Sequence, residues 1–344
     1  MTMTRVTGGV DTHLDVHVAA VLDEIGGLLG TASFRADAAG YRQLLDWLRG
    51  FGDVVRVGVE GTGSYGAGLS RRLAAEGVPV VEVDRPNRRQ RRKAGKTDTL
   101  DAVNAARAAQ SGEAAGAAKT RTGNVEAIRV LRVARGSARA SRTQALNQMR
   151  SLVCTAPDDL RDRLRDLPIV GLVNACAGLR PGADADVTGA TKLALRTLAR
   201  RILELETEID LLDASLRPLV TATAPALVAA YGVGTDTAGA LLVAAGDNPD
   251  RLRTEACFAR LCGVAPIEAS SGKVTRHRLH RGGDRHANSA LWRIVMTRMS
   301  NDPDTRAYVE RRDTEGRSKK EIIRCLKRYT ARELFPLLPH ETLA

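Results

Sequence analysis

Four acidic residues stand where their spacing allows joint chemistry. Asp11 in "GGVDTH" and Glu60 in "VGVEGTGSYG" each break an apolar run at its C-terminal end, and Asp98 and Asp101 lie three residues apart in "KTDTLDAVNAARAA", the start of an alanine-rich helical pattern. The ordinary reading makes Asp98 a helix cap and Asp101 a charge favouring the helix's positive end. If the two strands are neighbours, however, Asp11 and Glu60 sit side by side, and the helix brings a second pair at i and i+3 on one face. Four clustered carboxylates repel one another unless a dication neutralises them, and oxygen-only ligands suit Mg²⁺ or Mn²⁺. Phosphoryl-transfer sites hold two such ions about 3.5–4 Å apart, one activating the attacking oxygen and one stabilising the leaving oxygen.

Two basic tracts accompany the acids. "RPNRRQRRKAGK" carries seven cations in twelve residues, among them Arg88, Arg89, Arg91, Arg92 and Lys93, just before Asp98. "SSGKVTRHRLHRGGDRH" presents Lys273, Arg276, Arg278, Arg281 and Arg285 without helical periodicity, a strip suited to phosphate contact. Ser270 and Ser271 stand at its head, and a hydroxyl beside arginines and near a metal can be activated as a nucleophile, although a loop serine is more often a turn residue. "YGVGTDTAGALL" reads either as a helix-hairpin-helix turn offering backbone N–H groups to phosphates or as an ordinary glycine-rich connection. The spacing gives no reason to assign His13 or His17 to a metal. His277, His280 and His286 lie among arginines without a cysteine or acid at zinc spacing.

The balance of the chain fits those tracts. A net charge of +12 and a pI near 9.9 over 344 residues favour a polyanionic partner, foremost nucleic acid. No apolar run approaches the ~20 residues of a membrane span, and the start lacks a signal peptide's apolar region, so the expected location is the cytoplasm. Five cysteines without a CxxC pair indicate neither a disulfide framework nor a thiolate zinc site. An aromatic share of 3% argues against a chain built to stack bases along a single strand.

The elements that must position these residues fall into three regions, 1–115, 116–222 and 223–344. The first reads as three strands in an antiparallel meander ("TRVTGGVD", "VHVAAVLDE", "LLGTASFRA"), then helix, strand, helix, strand, a mixed α/β sheet. The second is helical: Leu195, Leu198, Ile202, Leu205, Ile209, Leu212, Leu216 and Leu219 alternate in steps of three and four, the seam of a coiled coil. Either an antiparallel hairpin arm or an intermolecular coiled coil fits that seam. The third region is mainly helical with the basic, glycine-rich insert.

"GVDTHLDVHVA", "VEGTGSYG" and "KTDTLDAVNAARAA", with "ARLCGVAP" and "ASSGKVTRHRLHRGGDRHANSALWR" downstream, resemble in order and spacing the DEDD transposases of bacterial insertion sequences, relatives of the Piv invertase. The resemblance covers nearly the whole chain. It implies a RuvC-like catalytic domain of the ribonuclease H fold, a coiled-coil arm and a helical transposase domain. It further implies Asp11, Glu60, Asp98 and Asp101 as metal ligands and a serine before the glycine of "SSG" as nucleophile, a position Ser271 fits better than Ser270. The implied partners are donor and target DNA, a noncoding bridge RNA and further copies of the chain in a dimer or tetramer, in a bacterial, nucleoid-associated setting. A Piv-like invertase would share every motif and a RuvC-like nuclease only the acids. A non-catalytic nucleic-acid-binding protein would leave the acids without purpose.

Overall fold

The computed structural model describes residues 4–83, 97–114, 116–182, 186–248 and 251–339. Strands β1 (Arg5–Thr12), β2 (Val16–Leu22) and β3 (Leu28–Arg35) form the expected antiparallel meander. The chain then crosses through α1 (Ala38–Arg49) to β4 (Asp53–Glu60), parallel to β1, and through α2 (Ala67–Ala75) to β5 (Val80–Val83), parallel to β4. A two-residue strand, β6 (Gly116–Ala117), closes the order β3-β2-β1-β4-β5-β6. Period-two alternation gives each central strand two buried faces of different character. On one, Val6, Val10, Val57 and Val59 pack with Leu44, Leu45 and Leu48 of α1 and Leu69 and Leu73 of α2. Each fully buried aliphatic side chain contributes about 1.5–3 kcal/mol relative to exposure.

On the opposite face, Ala20 and Leu22 of β2 pack with the following helix, and β1 and β4 carry glycine. Helix α3 (Asp98–Ser111) lays Ala102, Ala105, Ala106 and Ala109 on β1 and β4, at positions where the strands have glycine. A Cβ on Gly9 would stand 2.1 Å from the Ala106 nitrogen and 2.3 Å from the Ala102 oxygen, and one on Gly58 would stand 2.4 Å from the Ala105 oxygen. Backbone therefore meets backbone, and only glycine under alanine permits it.

By contact, the chain divides into two compact units, one of Met1–Glu126, Ala230–Gly232 and Ala240–Ala344, the other of Ala127–Ala229 and Val233–Gly239. The second is built on α4 (Asn124–Cys154), α5 (Asp158–Leu164), α6 (Ile169–Ala177) and α7 (Val187–Thr223). Arg142 reaches Glu206 (Nε–Oε1 2.8 Å) and Arg135 reaches Asp213 (Nη2–Oδ2 3.0 Å), so α4 and α7 run antiparallel. Met149, Val153, Leu172, Val173 and Cys176 enclose Leu195, Ala199 and Ile202 in one core. That part of the heptad seam thus packs inside its own chain. Leu205, Ile209 and Leu212 beyond it are half-buried. Helix α8 (Pro225–Ala229) has only five residues before Gly232 and α9 (Thr235–Ala245), a shorter first limb than a hairpin of two full helices. Asp236, in the first turn of α9, is held by Arg132 (2.7 Å) and Arg135 (3.0 Å).

The C-terminal part of the first unit contains α10 (Glu255–Leu261), the hairpin β7 (Pro266–Glu268) and β8 (His277–Leu279), α11 (Arg285–Asn301), α12 (Pro303–Thr314) and α13 (Lys319–Leu334). Val295, Ile322 and Leu326 form its small core, and a Ser318–Glu321 capping box starts α13. Within the same unit the Asp247 carboxylate accepts from the Thr120 hydroxyl and from the backbone N–H groups of Arg121, Thr122 and Gly123, and Lys119 donates to the Val243 carbonyl (2.6 Å). Cys154, Cys176, Cys257, Cys262 and Cys325 are all free thiols, and burial pushes Cys176 up to about 11 and Cys262 up to about 12. No helix among the described residues is long and apolar enough to cross a membrane.

Two outcomes test these packings. Gly9→Ala should lower unfolding stability in urea by about 3 kcal/mol, at the upper end of overpacking costs. Gly8→Ala, whose Cβ would meet only the flexible ends of Leu48 and Val57 at 3.1–3.3 Å, should cost much less, and equal losses would refute the backbone contact. Ile202→Asp, at a site 1% exposed, should remove the helical unit's cooperative melt, while Ile209→Asp leaves it folded; the reverse order would place the buried seam elsewhere.

Candidate functional site

The register sets the first two carboxylates. Val10 pairs with Val59 in the parallel β1–β4 ladder, so Asp11 and Glu60 follow as neighbours at the C-terminal edge of the sheet. By alternation both lie on the face of Gly9 and Gly58, the face covered by α3. Two further contacts hold the strand ends together: Thr12 Oγ1 donates to the Glu60 carbonyl (2.7 Å), and Gly61, at φ +73°, turns the chain back in a conformation that favours glycine. Thr62 then donates to Glu82 on β5 (2.7 Å), which anchors the loop after Glu60.

Helix α3 supplies the other pair. Its N-cap is Thr97, whose side chain accepts from the Leu100 N–H (3.2 Å), so the capping role offered to Asp98 is already filled. Asp98 is exposed in the first turn, while Asp101, 2% exposed, faces the sheet with Ala102 and Ala105. Burial raises the Asp11 carboxyl above its ordinary value; His13 draws it back down, and the negative charges of Asp101 and Asp98 push it up again. Three carboxylates are thus within electrostatic reach of one another, with Glu60 on the adjoining strand.

One residue that spacing left aside belongs with them. His13 Nε2 lies 3.1 Å from Asp11 Oδ2 and 3.5 Å from Asp98 Oδ1, and ligand atoms of Asp11, His13 and Asp98 all lie within 4.8 Å of one another. The donor set can hold a divalent cation through carboxylate oxygens, with an imidazole nitrogen available beside them. The only sequence signal for His13 is its place two residues after Asp11, in a turn whose direction the strand pairing decides. His17 is a core histidine: fully buried, stacked on Tyr41 at 5.5 Å, and held below its ordinary pKa by burial.

Ser271 occupies a different surface. In the β7–β8 hairpin the Ser271 N–H donates to the Val274 carbonyl and the Val274 N–H donates back, each at 3.1 Å, around Gly272 and Lys273. Gly272, at φ +57°, takes the first central position of this tight turn, which demands a positive φ. The Ser270 hydroxyl accepts from the Arg276 N–H (3.1 Å), whereas the Ser271 hydroxyl has no hydrogen-bond partner among the described residues and is exposed. Lys273, Arg276, Arg278 and Arg281 are exposed along the hairpin and the loop after it. No described contact joins the hairpin to Asp11 or Asp98. Arg88, Arg89, Arg91, Arg92 and Lys93 lie outside the described residues.

Comparison with known proteins agrees with this arrangement. Residues 8–156, which span the sheet, α3 and all four acids, match a family of DEDD type described as "Transposase", and residues 224–310, which include the hairpin, match "Transposase IS116/IS110/IS902 family". The chain is 29% identical over 207 residues to an uncharacterized 43.6 kDa protein of insertion element IS110 from Streptomyces coelicolor, covering 59% of this chain and 49% of that protein. It is 24% identical over 168 residues to an uncharacterized 42 kDa protein of insertion element IS900 from Mycobacterium paratuberculosis, covering 48% and 41%. The chain therefore spans about half the length of these relatives or less. The two matched regions, 8–156 and 224–310, with the insertion-element relatives, place the chain in the IS110-type family of DEDD transposases.

Proposed function

We propose that the chain is a DNA recombinase of transposition, cutting DNA strands with metal assistance at Asp11, Glu60, Asp98 and Asp101 and exchanging them through Ser271. The observation that carries this reading is the meeting of Asp11 and Asp98, within 4.8 Å of each other and of His13, across a helix–strand contact that comes backbone to backbone at Gly9 and Gly58. Asp101, buried in the first turn of a helix capped by Thr97, adds a further negative charge that Asp11 feels. Mg²⁺ or Mn²⁺ held there would lower the barrier to forming an alkoxide and offset charge on the phosphoryl oxygens.

In the serine step Ser271 Oγ attacks the phosphorus of a phosphodiester and loses its proton to solvent or a nearby base. The bond from phosphorus to the leaving strand's oxygen breaks, and that strand departs with a hydroxyl end. The phosphoserine link conserves the bond energy needed to join the other end to a new strand. Lys273, Arg276 and Arg278 stand on the same hairpin to offset developing negative charge. The free Ser271 hydroxyl, beside a Ser270 hydroxyl already engaged with Arg276, supports Ser271 as the nucleophile.

The remaining partners follow from the family resemblance and the charge of +12: donor and target DNA, a bridge RNA that pairs with both, and a dimer or tetramer that unites hairpin and acidic site across protomers. The basic tract of Arg88, Arg89, Arg91, Arg92 and Lys93 belongs to the same proposal, as do the regions 1–115, 116–222 and 223–344 as catalytic domain, arm and serine-bearing domain.

Asp11→Asn, Glu60→Gln, Asp98→Asn and Asp101→Asn should each abolish Mg²⁺-dependent cleavage with the circular dichroism spectrum unchanged. Full activity in both Asp98→Asn and Asp101→Asn would remove the helix from the site. Ser271→Ala should retain DNA binding but lose the denaturation-resistant protein–DNA adduct, while Ser270→Ala keeps it; an adduct that persists in Ser271→Ala assigns the nucleophile elsewhere.

A further inference from the structure

The outer face of α11 carries a cavity of about 400 Å³ that the acidic site and the hairpin serine do not use. Arg285, Asn288 and Trp292 line it from the helix at steps of three and four, with His280, Arg281 and Lys327 around them. Its base is rigidly made. Gly283 and Gly263 abut so closely that a Cβ on Gly283 would stand 2.2 Å from the Gly263 nitrogen, and Asn288 Nδ2 donates to the Cys262 carbonyl (2.8 Å).

The wall charges are unbalanced. Lys327 is half-buried, and its described partner is the neutral Asn288 amide (Nζ–Oδ1 2.9 Å). Burial, reinforced by the neighbouring Arg324, lowers its pKa, as expected of a cation lacking a counter-ion. Neither Arg281 nor Arg285 has a carboxylate partner among the described residues. The nearest acid in sequence, Asp284, caps α11 by accepting from the Ala287 N–H (2.8 Å). The buried Nδ1 of His280 has no hydrogen-bond partner. Into this cationic recess the indole of Trp292 presents itself 46% exposed, in a chain with two tryptophans, while the opposite face of α11 buries Ala287, Ala290, Leu291, Ile294 and Val295.

Clustered cations around an uncovered aromatic face match a ligand with an anionic part and a flat π-surface. We infer that this cavity takes one unstacked nucleotide of a single-stranded nucleic acid, its base against Trp292 and its phosphate among Arg281, Arg285 and Lys327. The inference rests on the nucleic-acid reading above and adds to it a place where a base is held out of a helix. One stacking residue suffices for that, so a chain poor in aromatics overall is no obstacle.

The test measures binding of the full chain, without metal, to labelled oligonucleotides of about twelve residues, a length within the usual range of single-strand sites. Homothymidine DNA, homouridine RNA and a blunt DNA duplex form the three arms. Trp292→Ala should weaken binding of at least one single strand about tenfold, leave the duplex unchanged, and be largely rescued by Trp292→Phe; the more affected strand identifies the nucleotide as DNA or RNA. Tryptophan emission should be quenched by the single strand and not by inorganic phosphate. Equal binding by Trp292→Ala and the unaltered chain, an equal loss for strand and duplex, or quenching by phosphate alone would each overturn the pocket. If single-strand binding survives in Trp292→Ala and metal-dependent cleavage is intact, only the pocket falls. If the unaltered chain binds none of the three, the nucleic-acid reading falls and the pocket with it.

Discussion

The site depends on how closely one helix approaches two strands. Side chains normally separate a helix from a sheet, but here Gly9 and Gly58 leave the strands bare beneath Ala102, Ala105, Ala106 and Ala109 of α3. The helix therefore settles backbone to backbone, and its first turn arrives beside the strand edge where Asp11 and Glu60 lie. A larger residue at either glycine would lift α3 and draw Asp98 away from Asp11. A positioned group tolerates little looseness, because a misplacement of about 1 Å can remove most of its effect.

That closeness carries an electrostatic cost. Asp11 and Asp101 are buried; burial above all raises the carboxyl of Asp11, His13 draws it down, and the charges on Asp101 and Asp98 add to the rise. The protein thus concentrates negative charge at one point of a strongly basic chain. Such a point repels any anion that the net positive charge draws in, unless a cation mediates between them. A divalent ion resolves both repulsions at once, which is why a metal is the natural complement of this site.

The helical unit is held differently. An apolar core around Met149, Leu195 and Ile202 supplies its packing, and the pairs of Arg142 with Glu206 and Arg135 with Asp213 and Asp236 align α4 with α7 and the start of α9. These ion pairs are partly exposed, so they select the antiparallel register more than they stabilise it. Two arginines of a chain rich in them are thereby neutralised within the unit. A count of basic residues alone overstates the surface available to nucleic acid.

Much of this was legible in the sequence. Period-two runs ended by Asp11 and Glu60, and an alanine face continuous with Asp98 and Asp101, are local patterns, and local patterns survive any tertiary arrangement. The meander, the alternation of helix and strand after it and the heptad seam follow from them. Other features depend on what stands opposite in space. The spacing of Asp98 allowed it to be a cap, and only the helix boundary at Thr97 shows that the cap is elsewhere. Likewise, the direction of a histidine two residues past a strand-end acid is open until the β1–β2 turn sets it, and the fold turns His13 toward Asp11 and Asp98. The seam fitted an arm or an intermolecular coil equally well, because a heptad specifies an apolar partner without saying whose; the core around Ile202 supplies one from the same chain. Sequence by itself determined the types of residue, their faces and their order along the chain, since these are properties of neighbours in the backbone. Which carboxylates meet, which histidine joins them and which cations gather around Trp292 was decided only by tertiary structure, because each is a relation between segments that the backbone brings together from far apart.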